Sequence, residues 1–214
     1  MKENMSFEFI SDLDGYFAEQ YANYDKICIL KGYEMPKMQE TKRLEDGRDY
    51  SYTLPANTMR LAKQRNCEDL LKQLKETFFD TTFSFSFCPL SFFERIRDRF
   101  NKKSFKKVFP EVLKRKNVSI EQVKSALTVD EITWTRILKG RYYPTKNLLF
   151  SIALGVGLSD EDLKDLMEVC EFSFDFTLPK DVVVAYLITR SVHNPLMIKA
   201  AFEEYKIGNL FIKD

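Results

Sequence analysis

The chain has 214 residues, 44% of them hydrophobic and 30% charged, and its 33 Lys and Arg against 32 Asp and Glu leave a formal net charge of +1. That balance suits a globular chain with one large core or two small ones; it excludes a disordered chain and a globally basic nucleic-acid binder. No apolar run reaches the roughly 18 residues of a membrane span, and acidic residues interrupt the opening MKENMSFEFISDLDGYF, so neither a span nor a secretory segment is expected and a cytoplasmic location is.

In chain order, Ile10, Leu13, Phe17 and Tyr21 recur at helical spacing and predict a first helix, with Ser6 placed to cap it. From Lys26 to Thr58, short apolar runs mix with Gly, Pro and the turn pair Asp46-Gly47, which predicts a small hairpin or an irregular loop. The pattern turns helical again from Asn57, and Leu70, Leu71, Leu74 and Phe78 share one face. Strict alternation in TTFSFSF then puts Phe83, Phe85 and Phe87 on one side of a half-buried strand. Ser91 and Glu94 have capping-box spacing ahead of a helix from about Phe92 to Asn101. Every later signal is helical: Ser119 and Gln122 repeat the box, and Asn194 precedes a proline suited to a first turn. Two closing helices carry Val183, Tyr186 and Leu187, then Ile198, Ala201, Phe202 and Tyr205, on their apolar faces. The expected fold class is mainly α with a small β element in the N-terminal region, divided into residues 1–103, 104–172 and 173–214.

Residues able to carry catalysis or hold metal do not group. Cys28, Cys67, Cys88 and Cys170 have no short paired spacing and only His193 to join them, so neither a zinc site nor a disulfide framework follows, and buried reduced thiols are expected. The motif DLDG at Asp12–Gly15 is similar to the nucleophile loop of haloacid-dehalogenase-like phosphatases. It follows a helical pattern, however, and Tyr16 stands where that family places threonine. GVGLSD near Gly155 follows a helix pattern instead of a strand and reads as a helix end. No metal, no cofactor and no enzymatic activity are expected.

From Leu113 to Leu163 a longer pattern emerges. Val123 and Leu127 fill an apolar face, Val129 follows a turn, and Trp134 and Ile137 make the next buried stripe. Gly140 ends that helix, Pro144 lies in the following loop, and Ile152, Ala153 and Gly157 keep register in LLFSIALGVGLSDEDL. This stretch resembles the Xre or lambda-repressor-like helix-turn-helix family, and the whole second part of the chain, including EVCEFSFDF and the two closing helices, is similar to bacterial proteins that carry an atypical repressor-like domain. The resemblance implies a five-helix domain, followed here by two extra helices packed on it or on a partner. It also implies DNA reading by the second motif helix, and there the sequence departs from the family. Ile120 replaces the glutamine that holds a phosphate, Lys124 replaces the small residue between the motif helices, and Asp130, Glu131 and Ile132 replace the serine and arginine that often open the reading helix.

A carboxylate facing phosphates meets like charge, so the expected use of this surface is a protein partner, through Ile132, Thr133, Arg136, Lys139, Arg141, Tyr142 and Tyr143, in a non-enzymatic bacterial regulatory or adaptor protein. The alternative is nucleic-acid binding through backbone contacts. It draws on Glu94–Lys116, where ten basic residues face three acidic ones, with Lys102, Lys103, Lys106, Lys107, Lys114, Arg115 and Lys116 as phosphate ligands. The plainer reading is two helices with solvated basic sides, and with Phe93, Ile96, Phe100, Phe105 and Phe109 turned inward. Trp134, the one tryptophan, is expected to be buried with its ring nitrogen at a carbonyl or at the domain edge. No membrane partner is expected.

Overall fold

The computed structural model describes residues 2–20, 39–43, 48–53, 67–80, 87–101, 103–176, 178–208 and 210–213. Tyr21, the Asp46-Gly47 turn, Cys28, Lys102 and the alternating run up to Ser86 lie outside them, as do the side chains of Cys67 and Leu70. Among the described residues the chain is mainly helical with one small sheet, the fold class expected. It divides into two compact units, residues 1–79 with 176–179, and residues 80–175 with 180–214.

In the first unit, α1 (Lys2–Gln20) buries Phe9, Leu13 and Phe17, and α2 (Cys67–Thr77) buries Leu71 and Leu74, with Phe78 just beyond it. The two helices pack together, and Lys75 pairs with Asp14 at 2.7 Å. Because α1 starts at Lys2, Ser6 lies inside the helix and does not cap it; the good helix formers Lys2, Glu3 and Met5 extend the first turn past it. The DLDG motif is helical too, and so lacks the strand-to-loop setting of a phosphatase nucleophile. Strands β1 (Gln39–Arg43) and β2 (Asp49–Thr53) form an antiparallel pair running from Gln39↔Thr53 to Arg43↔Asp49. Its exposed faces are held by cross-strand contacts: Tyr52 donates to Glu40, and Thr41 and Ser51 share a hydrogen bond.

The second unit contains α3 (Phe92–Phe100), α4 (Phe105–Arg115), α5 (Ile120–Ala126), α6 (Glu131–Leu138), α7 (Lys146–Val156), α8 (Asp160–Val169), α9 (Pro179–Thr189) and α10 (Pro195–Glu204). Its centre is α7, where every residue from Asn147 to Leu154 is buried. Around it α5 and α8 pack directly, and α4 packs on both α8 and α6. Both capping boxes form, Ser91 with Glu94 and Ser119 with Gln122, and Asn194 caps α10 with Pro195 in its first turn. Gly140 and Gly157 both take positive φ, 64° and 70°, where α6 and α7 end.

The segment after α10 returns to the α5–α6 turn: Thr128 N–H donates to the Phe211 carbonyl at 2.7 Å and Lys213 N–H to that of Ala126 at 3.0 Å. Buried charges hold α9 in place. Lys180 pairs with Asp80 at 2.6 Å and Lys146 pairs with Asp181, whose carboxyl is raised by burial against the pull of that lysine. The two units meet in sequence after Phe79, and the segment leading into α3 is bonded to the loop after α6. Leu90 N–H donates to the Arg141 carbonyl at 2.8 Å, and Tyr143 N–H to that of Cys88 at 2.9 Å.

Candidate functional site

The surface of α6 is built from its own first turn. Asp130, in extended conformation, accepts the Thr133 N–H at 2.9 Å, and this cap holds its carboxyl below the ordinary range, first through the Thr133 side chain and then through its backbone. Glu131 accepts from Lys124 of α5 at 2.8 Å, and that bond raises the Lys124 ammonium. Two of the residues that break the helix-turn-helix pattern therefore satisfy each other. With a lysine at the helix contact, close approach is supplied elsewhere: α5 meets α7 at Gly155, where a Cβ would stand 3.3 Å from Leu127 Cδ2.

With both acids occupied, Ile132 projects at 66% exposure. Behind it Trp134 and Ile137 are buried, so the stripe expected to face inward does so. The indole nitrogen is buried and has no hydrogen-bond partner among the described residues, so of the two expected placements, a carbonyl or the domain edge, the carbonyl is not met. At the other end of α6, Arg136 lies over the Tyr142 ring at 5.2 Å and donates to its hydroxyl at 2.5 Å. Thr133 is half-buried, while Lys139 and Arg141 are exposed. Tyr143 departs from expectation. It is half-buried, its hydroxyl pushed up by burial, and it lines a cavity of about 80 Å³ with Asp98, Ser104, Lys106 and Cys170. Tyr142 is half-buried as well, so Ile132 is the fully exposed apolar member of the set.

The basic stretch is largely met by carboxylates from distant sequence. Arg115 pairs with Asp165 at 2.6 Å and Asp162 at 3.1 Å, Lys116 with Asp162 at 3.5 Å, and Lys103 with Glu168 at 3.3 Å, all on α8. Lys106 pairs with Asp98 at 2.6 Å, and Lys107 donates to the Asn101 carbonyl at 2.6 Å. Lys114 is exposed, and Lys102 lies outside the described residues. A phosphate at most of these positions has to displace a carboxylate or a carbonyl first.

Helix α3 departs from the inward packing expected of it. Phe92, Phe93, Ile96 and Phe100 are 63%, 82%, 42% and 79% exposed, whereas Phe105 and Phe109 of α4 are buried and stacked 4.9 Å apart. The contact on the other side of α3 is Asp98, which reaches Lys106; this pair lies over Gly140, where a Cβ would fall 3.0 Å from Asp98 Oδ2 and 3.4 Å from Lys106 Cδ. Glu94, on the same side, is engaged by Ser91, which holds its carboxyl low.

Cys170 is buried, its thiol pushed up to about 12, and is therefore unreactive; Cys88 is exposed, contrary to expectation, at the bridge to Tyr143. Among the described residues no group of His, Cys, Asp and Glu could hold a metal ion, and no helix is long and apolar enough to cross a membrane. Comparison with protein-family models, with curated proteins and with solved structures finds no match for this chain.

Proposed function

We propose that residues 104–172 act as a repressor-like helix-turn-helix domain whose α6 surface binds a protein partner, in a non-enzymatic, cytoplasmic bacterial regulatory or adaptor protein. The observation that carries this reading is Ile132, an aliphatic side chain 66% exposed at the start of the helix that would otherwise read bases. The acids beside it have partners within the domain: Asp130 is held as the cap to Thr133, and the charge of Glu131 is paired with Lys124. An apolar projection next to the Arg136–Tyr142 pair has the composition of an interface anchor with a cationic rim. Quantitative affinity capture from the native host with the wild type and with the Ile132→Asp, Tyr142→Ala variant tests it; proteins held by the first and lost by the second are expected.

A second reading rests on Lys139 and Arg141, both exposed beside α6. It makes the domain a nucleic-acid binder working through the backbone, of about micromolar affinity or weaker, with little sequence preference. Fluorescence anisotropy with random duplex and single-stranded probes across a salt series separates the two, since the protein-partner reading expects no binding even at low salt.

A further inference from the structure

An ordinary surface helix buries its apolar stripe and gives its polar face to water. Helix α3 leaves its apolar stripe in water. Phe92, Phe93, Ile96 and Phe100 fall within about a third of the helix circumference, and their three rings alone leave on the order of 450 Å² of apolar surface open, the scale of a functional patch. The Asp98–Lys106 pair holds the other side of the helix to the unit, and the segment before it is fixed by the bonds from Leu90 N–H to the Arg141 carbonyl and from Tyr143 N–H to that of Cys88.

Charge decides what covers the stripe. Arg95 and Arg97 are both exposed: Arg95 lies 5.9 Å over the Phe92 ring at one edge of the stripe, and Arg97, next to Phe93, also lines the cavity with Glu94 and Asp98, the acids engaged by Ser91 and Lys106. Among the described residues the stripe thus carries apolar groups with arginines at its edges and no carboxylate on it. A second copy of the same helix would set arginine against arginine, which disfavours self-association. A short helix with a strong apolar moment, low overall hydrophobicity, phenylalanines on one face and arginines at its edges has the chemistry of a segment lying in the headgroup region of an anionic bilayer.

We propose that α3 docks the protein peripherally on an anionic lipid surface, with the phenylalanines entering the acyl boundary and Arg95 and Arg97 at the lipid phosphates. This revises the expectation that no membrane takes part. That expectation rested on the lack of a long apolar run, a criterion that detects spans and is blind to a nine-residue helix.

The test is co-sedimentation of the full chain with vesicles of phosphatidylcholine plus phosphatidylglycerol and with vesicles of phosphatidylcholine alone. Partition onto the anionic vesicles, weakened by salt and much lower on the neutral ones, is expected. Phe93→Asp with Phe100→Asp abolishes it, and Arg95→Gln with Arg97→Gln weakens it on the order of ten-fold or more. Circular dichroism and Trp134 emission confirm that the variants fold, and Phe93→Ser with Phe100→Ser repeats the test should the aspartates prevent it. The proposal is overturned if the wild type ignores anionic vesicles at low salt or if the aspartate variant binds them as well as the wild type. It is equally overturned if the substitutions instead dissociate a dimer, or remove binding to a single-stranded oligonucleotide while vesicles are not bound.

Discussion

Asp80→Ala removes one half of a fully enclosed ion pair in the second unit. Lys180 Nζ stands 2.6 Å from Asp80 Oδ2, with the two side chains 3% and 2% exposed. The Gly208 N–H donates to the same carboxylate at 2.9 Å, and Lys180 also reaches Asn147 at 3.4 Å. Alanine leaves an ammonium group in a site closed to water and a backbone donor without its acceptor. Breaking a buried pair from one side costs about 3 to 5 kcal/mol, which is a large share of the total stability of an ordinary domain, about 5 to 15 kcal/mol. In thermal unfolding followed by circular dichroism this corresponds to a drop of roughly 10 °C or more. Asp80→Ala with Lys180→Met removes both charges and is expected to recover at least about 2 kcal/mol, because a buried charge that has lost its carboxylate costs more than a neutral gap. A loss below about 1 kcal/mol in the single variant, or a double variant no better than the single, refutes the reasoning.

Gly140→Ala places a Cβ at positive φ and within 3.0 Å of Asp98 Oδ2, so a loss of about 1 to 2 kcal/mol is expected in urea unfolding. Trp134→Ala opens a cavity under α6 and costs about 3 to 5 kcal/mol; in the wild type, the buried indole emits in the blue and resists iodide quenching. Acid unfolding reports on Asp162. Burial pushes its carboxyl up, but the Ser159 hydrogen bonds and the charges of Arg115 and Lys116 outweigh that and hold it below the ordinary value. A carboxyl more acidic in the folded chain contributes its full stability above the unfolded value, near 4, and loses it as pH falls through the lower folded value. Stability measured against pH is therefore expected to fall across that acidic window in the wild type and to fall less in Asp162→Asn.

What could be read from the residues was local. Ser91 with Glu94, Ser119 with Gln122 and Asn194 with Pro195 act over three residues or fewer, and each formed as its spacing indicates. Trp134 was legible because period and turn placed it in the stripe of Ile137. The basic stretch read as charged because its counterions, Asp162, Asp165 and Glu168, lie some fifty residues further on, at α8 positions that no local pattern links to Arg115 or Lys103. Periodicity located the stripe of α3 and said nothing of its direction. That depends on Asp98 finding Lys106 over Gly140, a tertiary contact. At α6 the substituted residues were visible, but the Lys124–Glu131 pair that reconciles them required the two helices to be placed.

The measurement that bears most directly on the α6 surface is photo-crosslinking in the native host, with a photoreactive amino acid at position 132 and, as a control, at the exposed Glu161 of α8. A protein adduct formed from position 132 and absent from position 161 is the result expected of a partner-binding surface. An adduct with nucleic acid from position 132, or the same adducts from both positions, contradicts it.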